Sequence, residues 1–142
     1  MNVSKILETK GSEIISLEIG CSVLDVAKLI GERRIGAIPL LKKGKLAGII
    51  SERDVMRGIA IRGGAVLADG AESLMTKAVA TCTPNDTIQH LMTMMTERRV
   101  RHIPVIDGGN LVGIISIGDV VKERMDEAAH EADALKDYIA SA

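Results

Sequence analysis

The chain has no Phe, no Trp and a single Tyr, Tyr138, among its 142 residues. Its core must therefore be aliphatic, and a flat ligand would lie between Ile, Val, Leu or Met side chains rather than on a ring. Cysteine is confined to Cys21 and Cys82. Two cysteines make no disulfide framework, and spare thiols in a reducing compartment are the simpler reading, so a cytoplasmic location is expected. Neither sign of charge predominates: 18 Lys and Arg stand against 19 Asp and Glu, a formal net charge of −1. That balance gives no electrostatic reason to expect a nucleic-acid partner. Uncharged apolar runs are far shorter than a membrane span, and the opening MNVSKILETKGSE lacks a signal peptide's apolar core, so no membrane association is expected.

What is present is ample core material, with 46% hydrophobic residues and a mean hydropathy of +0.21. The size suits one compact domain or two small halves packed on each other. The second description fits, because residues 22–56 align without a gap on 87–121, at a constant offset of 65. Identical pairs include Arg33/Arg98, Arg34/Arg99, Ile38/Ile103, Pro39/Pro104, Gly48/Gly113, Ser51/Ser116 and Asp54/Asp119. The chain is a duplicated module.

Within each copy the hydrophobic period changes in the same order. VLDVAKLIGERR and TIQHLMTMMTERR carry apolar residues at helical spacing, with Ser22 and Thr87 placed as N-caps. AIPLL-KKG-KLAGII and HIPVI-DGG-NLVGII read as hairpins of largely buried strands. A helix follows each, over roughly 52–60 and from about 117, and a short strand is expected upstream, near IISLEI and VATCT. The expected fold class is α/β: two helix–strand–strand–helix repeats packed sheet to sheet about a pseudo-twofold axis. The expected segments are a first repeat over 1–62, a flexible connector over 63–76 ending in a short helix, a second repeat over 77–125 and a C-terminal helix over 126–142.

The phrase G-I-I-S-x-x-D closes both hairpins, at Gly48–Asp54 and Gly113–Asp119. The Ser falls at a strand–helix corner, where unpaired backbone N–H groups can hold a phosphate, and the Asp is placed to accept both hydroxyls of a ribose. The same spacing is also a capping box, in which Ser and Asp only terminate the helix. Sequence alone leaves both readings open.

The doubled phrase, set in helix–strand–strand–helix order with a Pro in each first strand, resembles the tandem cystathionine-β-synthase (CBS) domain pair, or Bateman module, over about residues 3–125. The resemblance implies a two-lobed disc, a homodimer, and adenosyl ligands (AMP foremost, ADP, ATP, NAD(H) or S-adenosylmethionine) held in clefts shared between repeats. It implies a first cleft from Ser51, Arg53, Asp54, Val79, Thr81, Val100, Arg101, His102, Ile103 and Pro104. It implies a second, weaker cleft from Ile14, Ser16, Ile35, Gly36, Ala37, Ile38, Pro39, Ser116 and Asp119. Arg101 and His102 would serve a phosphate in the first, whereas Gly36 and Ala37 offer the second no charge. Where some relatives set an aromatic residue against adenine, this chain has Ile35 or Val100. The implied role is a regulatory sensor, not an enzyme, acting on a partner protein that the sequence does not name. A ligand-free interaction module is the alternative.

Arg33, Arg34, Arg98 and Arg99 read first as cations at helix C-termini. His90 and His130 have no metal-ligand spacing with the cysteines, and no metal is expected. Val121, Met125, Ala128, Ala132, Leu135 and Ile139 form a heptad seam that either folds back on the disc or meets a second subunit.

Overall fold

The computed structural model describes residues 1–11 and 13–141. In chain order the elements are α1 (Val3–Lys10), β1 (Leu17–Glu18), α2 (Val23–Arg33), β2 (Ala37–Lys42), β3 (Lys45–Ser51) and α3 (Glu52–Arg62). After two short 3-10 turns (Gly63–Ala68 and Ala71–Ser73) come α4 (Ile88–Arg98), β4 (His102–Asp107), β5 (Asn110–Ser116) and α5 (Ile117–Ser141).

The duplication in sequence is a duplication in geometry. In the β2–β3 hairpin Ala37 faces Ser51 and Leu40 faces Gly48, with the register slipping between Leu40 and Leu41. In β4–β5 His102 faces Ser116 and Val105 faces Gly113, and the slip falls between Val105 and Ile106. Helices α2 and α4 open on Ser22 and Thr87, whose side chains accept from Asp25 N and His90 N. Both helices close on an arginine in the left-handed region, Arg34 and Arg99, each at φ 54°. A non-glycine residue there signals a backbone held by its surroundings.

Each repeat has its own aliphatic core. Val23, Val26, Ile38, Leu40, Ile50, Val55 and Ala71 make one, and Ile88, Leu91, Met95, Ile103, Val105, Ile115 and Val120 are the centre of the other. Strands β3 and β5, each at the edge of its sheet, touch, which brings the two small sheets against each other. A two-stranded hairpin such as β4–β5 is marginally stable by itself, and it is held here by the helices of its own repeat and by contact with the other sheet.

Several elements depart from expectation. Helix α1 is not anticipated by the periodicity, yet Val3 is fully buried and Ile6 nearly so. Its first N–H groups, of Val3 and Ser4, donate to Asp86 O and Pro84 O at 2.9 Å. The N-terminal helix thus belongs to the core of the second repeat. The strand expected in VATCT shrinks to a single bridge between Cys82 and Val105. Pro84, two residues on, has no N–H to extend a ladder. The segment expected as a flexible connector is instead packed: Val66 and Ala71 are fully buried, and Val23 N and Ala71 N bond Asp69 O and Cys21 O at 2.9 Å. Residues 128–141 of α5 are exposed throughout, so the C-terminal helix does not fold back on the disc.

Gly48 and Gly113 are the buried glycines of the repeated phrase, and they are not equivalent. A Cβ on Gly48 would stand 2.8 Å from the Thr76 carbonyl oxygen, part of a backbone bridge, whereas one on Gly113 would meet only the end of the Leu7 side chain. Overpacking against an unyielding neighbour costs about 1–3 kcal/mol. Gly48→Ala is expected to lower stability by that amount in urea denaturation and Gly113→Ala by clearly less, since Leu7 can change rotamer; equal losses would contradict this packing.

Candidate functional site

Two clefts lie between the repeats, and each takes one strand–helix corner from one copy and the start of the hairpin from the other. The first, about 520 Å³, is lined by Ser51, Arg53, Asp54 and Arg57 from the β3–α3 corner. Arg98, Arg99, Val100, Arg101 and His102 line it from the end of α4, with Thr76, Ala78, Val79 and Ala80 from the chain joining the repeats. The second, about 380 Å³, takes Ser116 and Asp119 from the β5–α5 corner, Arg34, Ile35, Gly36, Ala37 and Pro39 from the end of α2, and Lys10, Ile14 and Ile15 from the N-terminal segment.

The structure therefore brings Ser51, Arg53, Asp54, Val79, Val100, Arg101 and His102 together as expected. Thr81, Ile103 and Pro104 do not line that cleft: Ile103 is fully buried in the core, and the Pro104 carbonyl accepts from Cys82 N at 3.0 Å. In the second cleft Ile14, Ile35, Gly36, Ala37, Pro39, Ser116 and Asp119 converge, whereas Ser16 and the fully buried Ile38 lie outside the lining. Alternation along a strand explains both isoleucines, because Ile38 and Ile103 turn to the core while Ala37, Pro39 and His102 line the clefts.

The expectation that the second cleft is without charge is corrected: Lys10, Arg34 and His102 line it, opposite Glu13 and Asp119. Lys10 escaped sequence reasoning because α1 lies outside the aligned repeat. Thr76, Ala78, Ala80, Glu52, Arg57, Arg98 and Arg99 are further first-cleft residues missing from the expected set. The helical phase of Arg53 and Arg57, four apart on α3, is the signal that would have found Arg57. The αL turn at Arg99 swings the α4 terminus over the cleft, so that Arg98 and Arg99 line it as well as ending a helix.

Both capping boxes form. Ser51 N donates to Asp54 Oδ2 at 2.8 Å and Asp54 N donates to Ser51 Oγ at 3.2 Å; Ser116 and Asp119 repeat this at 2.8 and 3.2 Å. The Ser51 hydroxyl also donates to Asp54 Oδ2, at 3.0 Å, and Glu52 N is engaged by Gly36 O at 2.9 Å. The helix start thus has few donors left for a phosphate, contrary to the expectation from the corner alone. Arginines supply them instead. Arg53, Arg57, Arg98, Arg99 and Arg101 line the first cleft, and among the described residues none of the five has a carboxylate within ion-pair distance. An arginine fork matches a phosphate's oxygens two at a time.

The two aspartates differ in their surroundings. Asp54 makes no ion pair among the described residues, whereas Asp119 Oδ2 accepts from Lys10 Nζ at 2.8 Å. Burial pushes the Asp119 carboxyl up, but the Lys10 hydrogen bond and the Ser116 N–H outweigh it, leaving it below the usual carboxylate range. His102 stands between the clefts and lines both, its imidazole so close to Gly36 that a Cβ there would sit 2.9 Å from Cε1. Burial lowers the His102 pKa, and the Lys10 and Arg101 charges add to this against the opposite pull of Glu52 and Asp119. Burial also holds the Cys82 thiol up at about 12, with Asp86 adding to it.

Comparison with known proteins agrees with this architecture. The family model of the CBS domain matches twice, over residues 3–61 and 71–126. A CBS domain-containing protein of Arabidopsis thaliana, CBSX3, mitochondrial, is 34% identical over 146 residues, covering 96% of this chain and 71% of the relative. The crystal structure of a CBS-domain containing protein from Agrobacterium tumefaciens superposes with a TM-score of 0.85 at 38% identity, covering 87% of this chain and 99% of the other. The CBS domain pair of protein MJ0100, solved in complex with 5′-methylthioadenosine and S-adenosyl-L-methionine, gives 0.77 at 25% identity, covering 86% and 98%.

His102 binds its proton less readily folded than unfolded, so its contribution to stability is present above the unfolded value of about 6.5 and is lost as pH falls from there through the lowered folded value. Titration of the His102 imidazole by NMR is expected to give a midpoint below 6.5. A midpoint at or above that value would contradict its burial between the clefts.

Proposed function

This chain belongs to the CBS-domain family, and we propose that it is a regulatory sensor that binds an adenine nucleotide in its first cleft and performs no turnover of its own. The single observation that carries the reading is the set of five arginines that share the first cleft with Asp54 and, among the described residues, form no ion pair with it or with any other carboxylate. Asp54 would accept the ribose hydroxyls through the carboxylate oxygen its capping box leaves over. Ile49, Val79 and Val100 would hold the adenine between aliphatic side chains, and Arg53, Arg57 and Arg98 to Arg101 would take the phosphate. So many cations favour AMP, ADP or ATP over S-adenosylmethionine, whose sulfonium they would repel; NAD(H), with two phosphates, is compatible. The adenosyl ligands in the MJ0100 domain pair support the general class.

The output of such a sensor would be a change in the shape or partner affinity of a homodimer. The exposed apolar residues Val121, Met125, Leu135, Tyr138 and Ile139 on α5 support self-association through that helix. Leu135→Asp combined with Ile139→Asp is expected to shift the dimer to monomer in sedimentation equilibrium, and a monomeric parent chain would overturn this part of the proposal. No helix is long and apolar enough to cross a membrane. The expected cytoplasmic location is part of the same proposal and is read by fractionation, since the Arabidopsis relative has a mitochondrial name.

The two completed capping boxes favour one second reading, a ligand-free interaction module in which Ser51 and Asp54 only end α3. The readings separate in a thermal-unfolding series. Nucleotide at a hundred times its Kd stabilises by about 2.7 kcal/mol, a shift of several degrees in a domain this size. The shift is expected with AMP, ADP or ATP and is expected to vanish in Asp54→Ala. No shift with any of them would leave the interaction module.

A further inference from the structure

Resting on that reading of the first cleft, we infer that Lys10 is a built-in occupant of the second: it stands where a ligand would engage Asp119, so the chain binds one nucleotide rather than two. The two strand–helix corners are related by the internal repeat, which pairs Ile49 with Ile114 and Asp54 with Asp119. In the first corner the Ile49 carbonyl is bonded by a backbone N–H, that of Thr76, at 2.8 Å, and the Asp54 carboxylate faces the cleft with no cation on it. In the second corner one ammonium group takes over both positions. Lys10 Nζ donates to Ile114 O at 2.7 Å and to Asp119 Oδ2 at 2.8 Å.

The lysine is delivered there by a fixed element rather than by a loose tail. It is the last residue of α1, whose Val3 and Ile6 are buried and whose Leu7 side chain fills the space over Gly113. Lys10 Nζ shares Asp119 Oδ2 with Ser116 N, so a ribose hydroxyl would reach Oδ1 only beside an ammonium that lines the cleft, and displacing that ammonium would break two charge-assisted hydrogen bonds. Charge reinforces the difference between the clefts. Around the second, Lys10 and Arg34 are matched by Glu13 and Asp119, whereas around the first five arginines exceed two carboxylates. With Lys10 on Asp119, Arg34 is the one guanidinium among the described lining residues of the second cleft, and Glu13 lies in the same lining.

The test is the stoichiometry of AMP, ATP and S-adenosylmethionine, each titrated calorimetrically into the full chain, Lys10→Met and Lys10→Gln. Methionine keeps the aliphatic stem over β5 and glutamine keeps a polar end, so at least one variant should hold the fold, as circular dichroism will show. The account predicts one site per chain in the parent and two in the variants. The gain at the second site is on the order of ten- to hundredfold in affinity, as expected for releasing a hydrogen-bonded charge. In Lys10→Met with Asp119→Ala the count should return to one, because the uncovered aspartate is then missing. Two sites in the parent, or one in the folded variants, would overturn the role of Lys10 while leaving the first-cleft reading intact. Absence of binding by parent and variants alike would overturn the sensor reading, and this inference with it.

Discussion

The contact between the two small sheets is the constraint on which everything else depends. The β4–β5 pair has two strands and its twin has three, and the residues at their centres, Ile38, Leu40, Ile50, Ile103, Val105 and Ile115, are fully buried. On each sheet those residues pack on the repeat's own helices, and the opposite face, where Pro39 pairs with Ile49 and Pro104 with Ile114, is the one left for the other copy to cover. Packing them about a pseudo-twofold axis fixes a second consequence. The strand–helix corner of one copy must lie against the hairpin start of the other, and a cleft opens at each junction. The clefts are by-products of how the core is closed, so mutations in the sheets would reach them through geometry before they reach them through chemistry.

Symmetry of fold then allows asymmetry of chemistry. Arg101 and His102 stand where the other copy has Gly36 and Ala37, so Arg101 lines the first cleft alone, whereas His102 lines both. The segments that complete the clefts differ too. The first is closed by the chain between the repeats, with the Thr76 backbone bridged to Ile49; the second is closed by α1, which brings Lys10 to Asp119. A duplicated unit has acquired two environments around one aspartate. His102 lines both clefts.

Much of this was legible in the sequence because the repeat reports on itself. Two ungapped copies of helix, hairpin and helix predict the elements and the cap residues together, and the structure has Ser22, Thr87, Ser51 and Ser116 at helix starts. What was not legible lies outside the repeat or depends on side-chain direction. Helix α1 has only eight residues, and its place in the core of the second repeat is a long-range contact that no local period reveals. Ile38 and Ile103 sit within the right stretch of chain but on the strand's other face. Arg98 and Arg99 looked like helix-end charges, and they are; the left-handed turn that also turns them to the cleft is a tertiary effect. The paired Ser and Asp are a cap in both copies, so the candidate chemistry rests on what surrounds them.

The most direct measurement is a crystal structure of the full chain grown with AMP. The account predicts one nucleotide in the cleft between α3 and the end of α4, its ribose on Asp54, its phosphate among the arginines, and Lys10 still on Asp119. A first cleft without nucleotide at saturating AMP, or nucleotide seated only against Asp119, would contradict it.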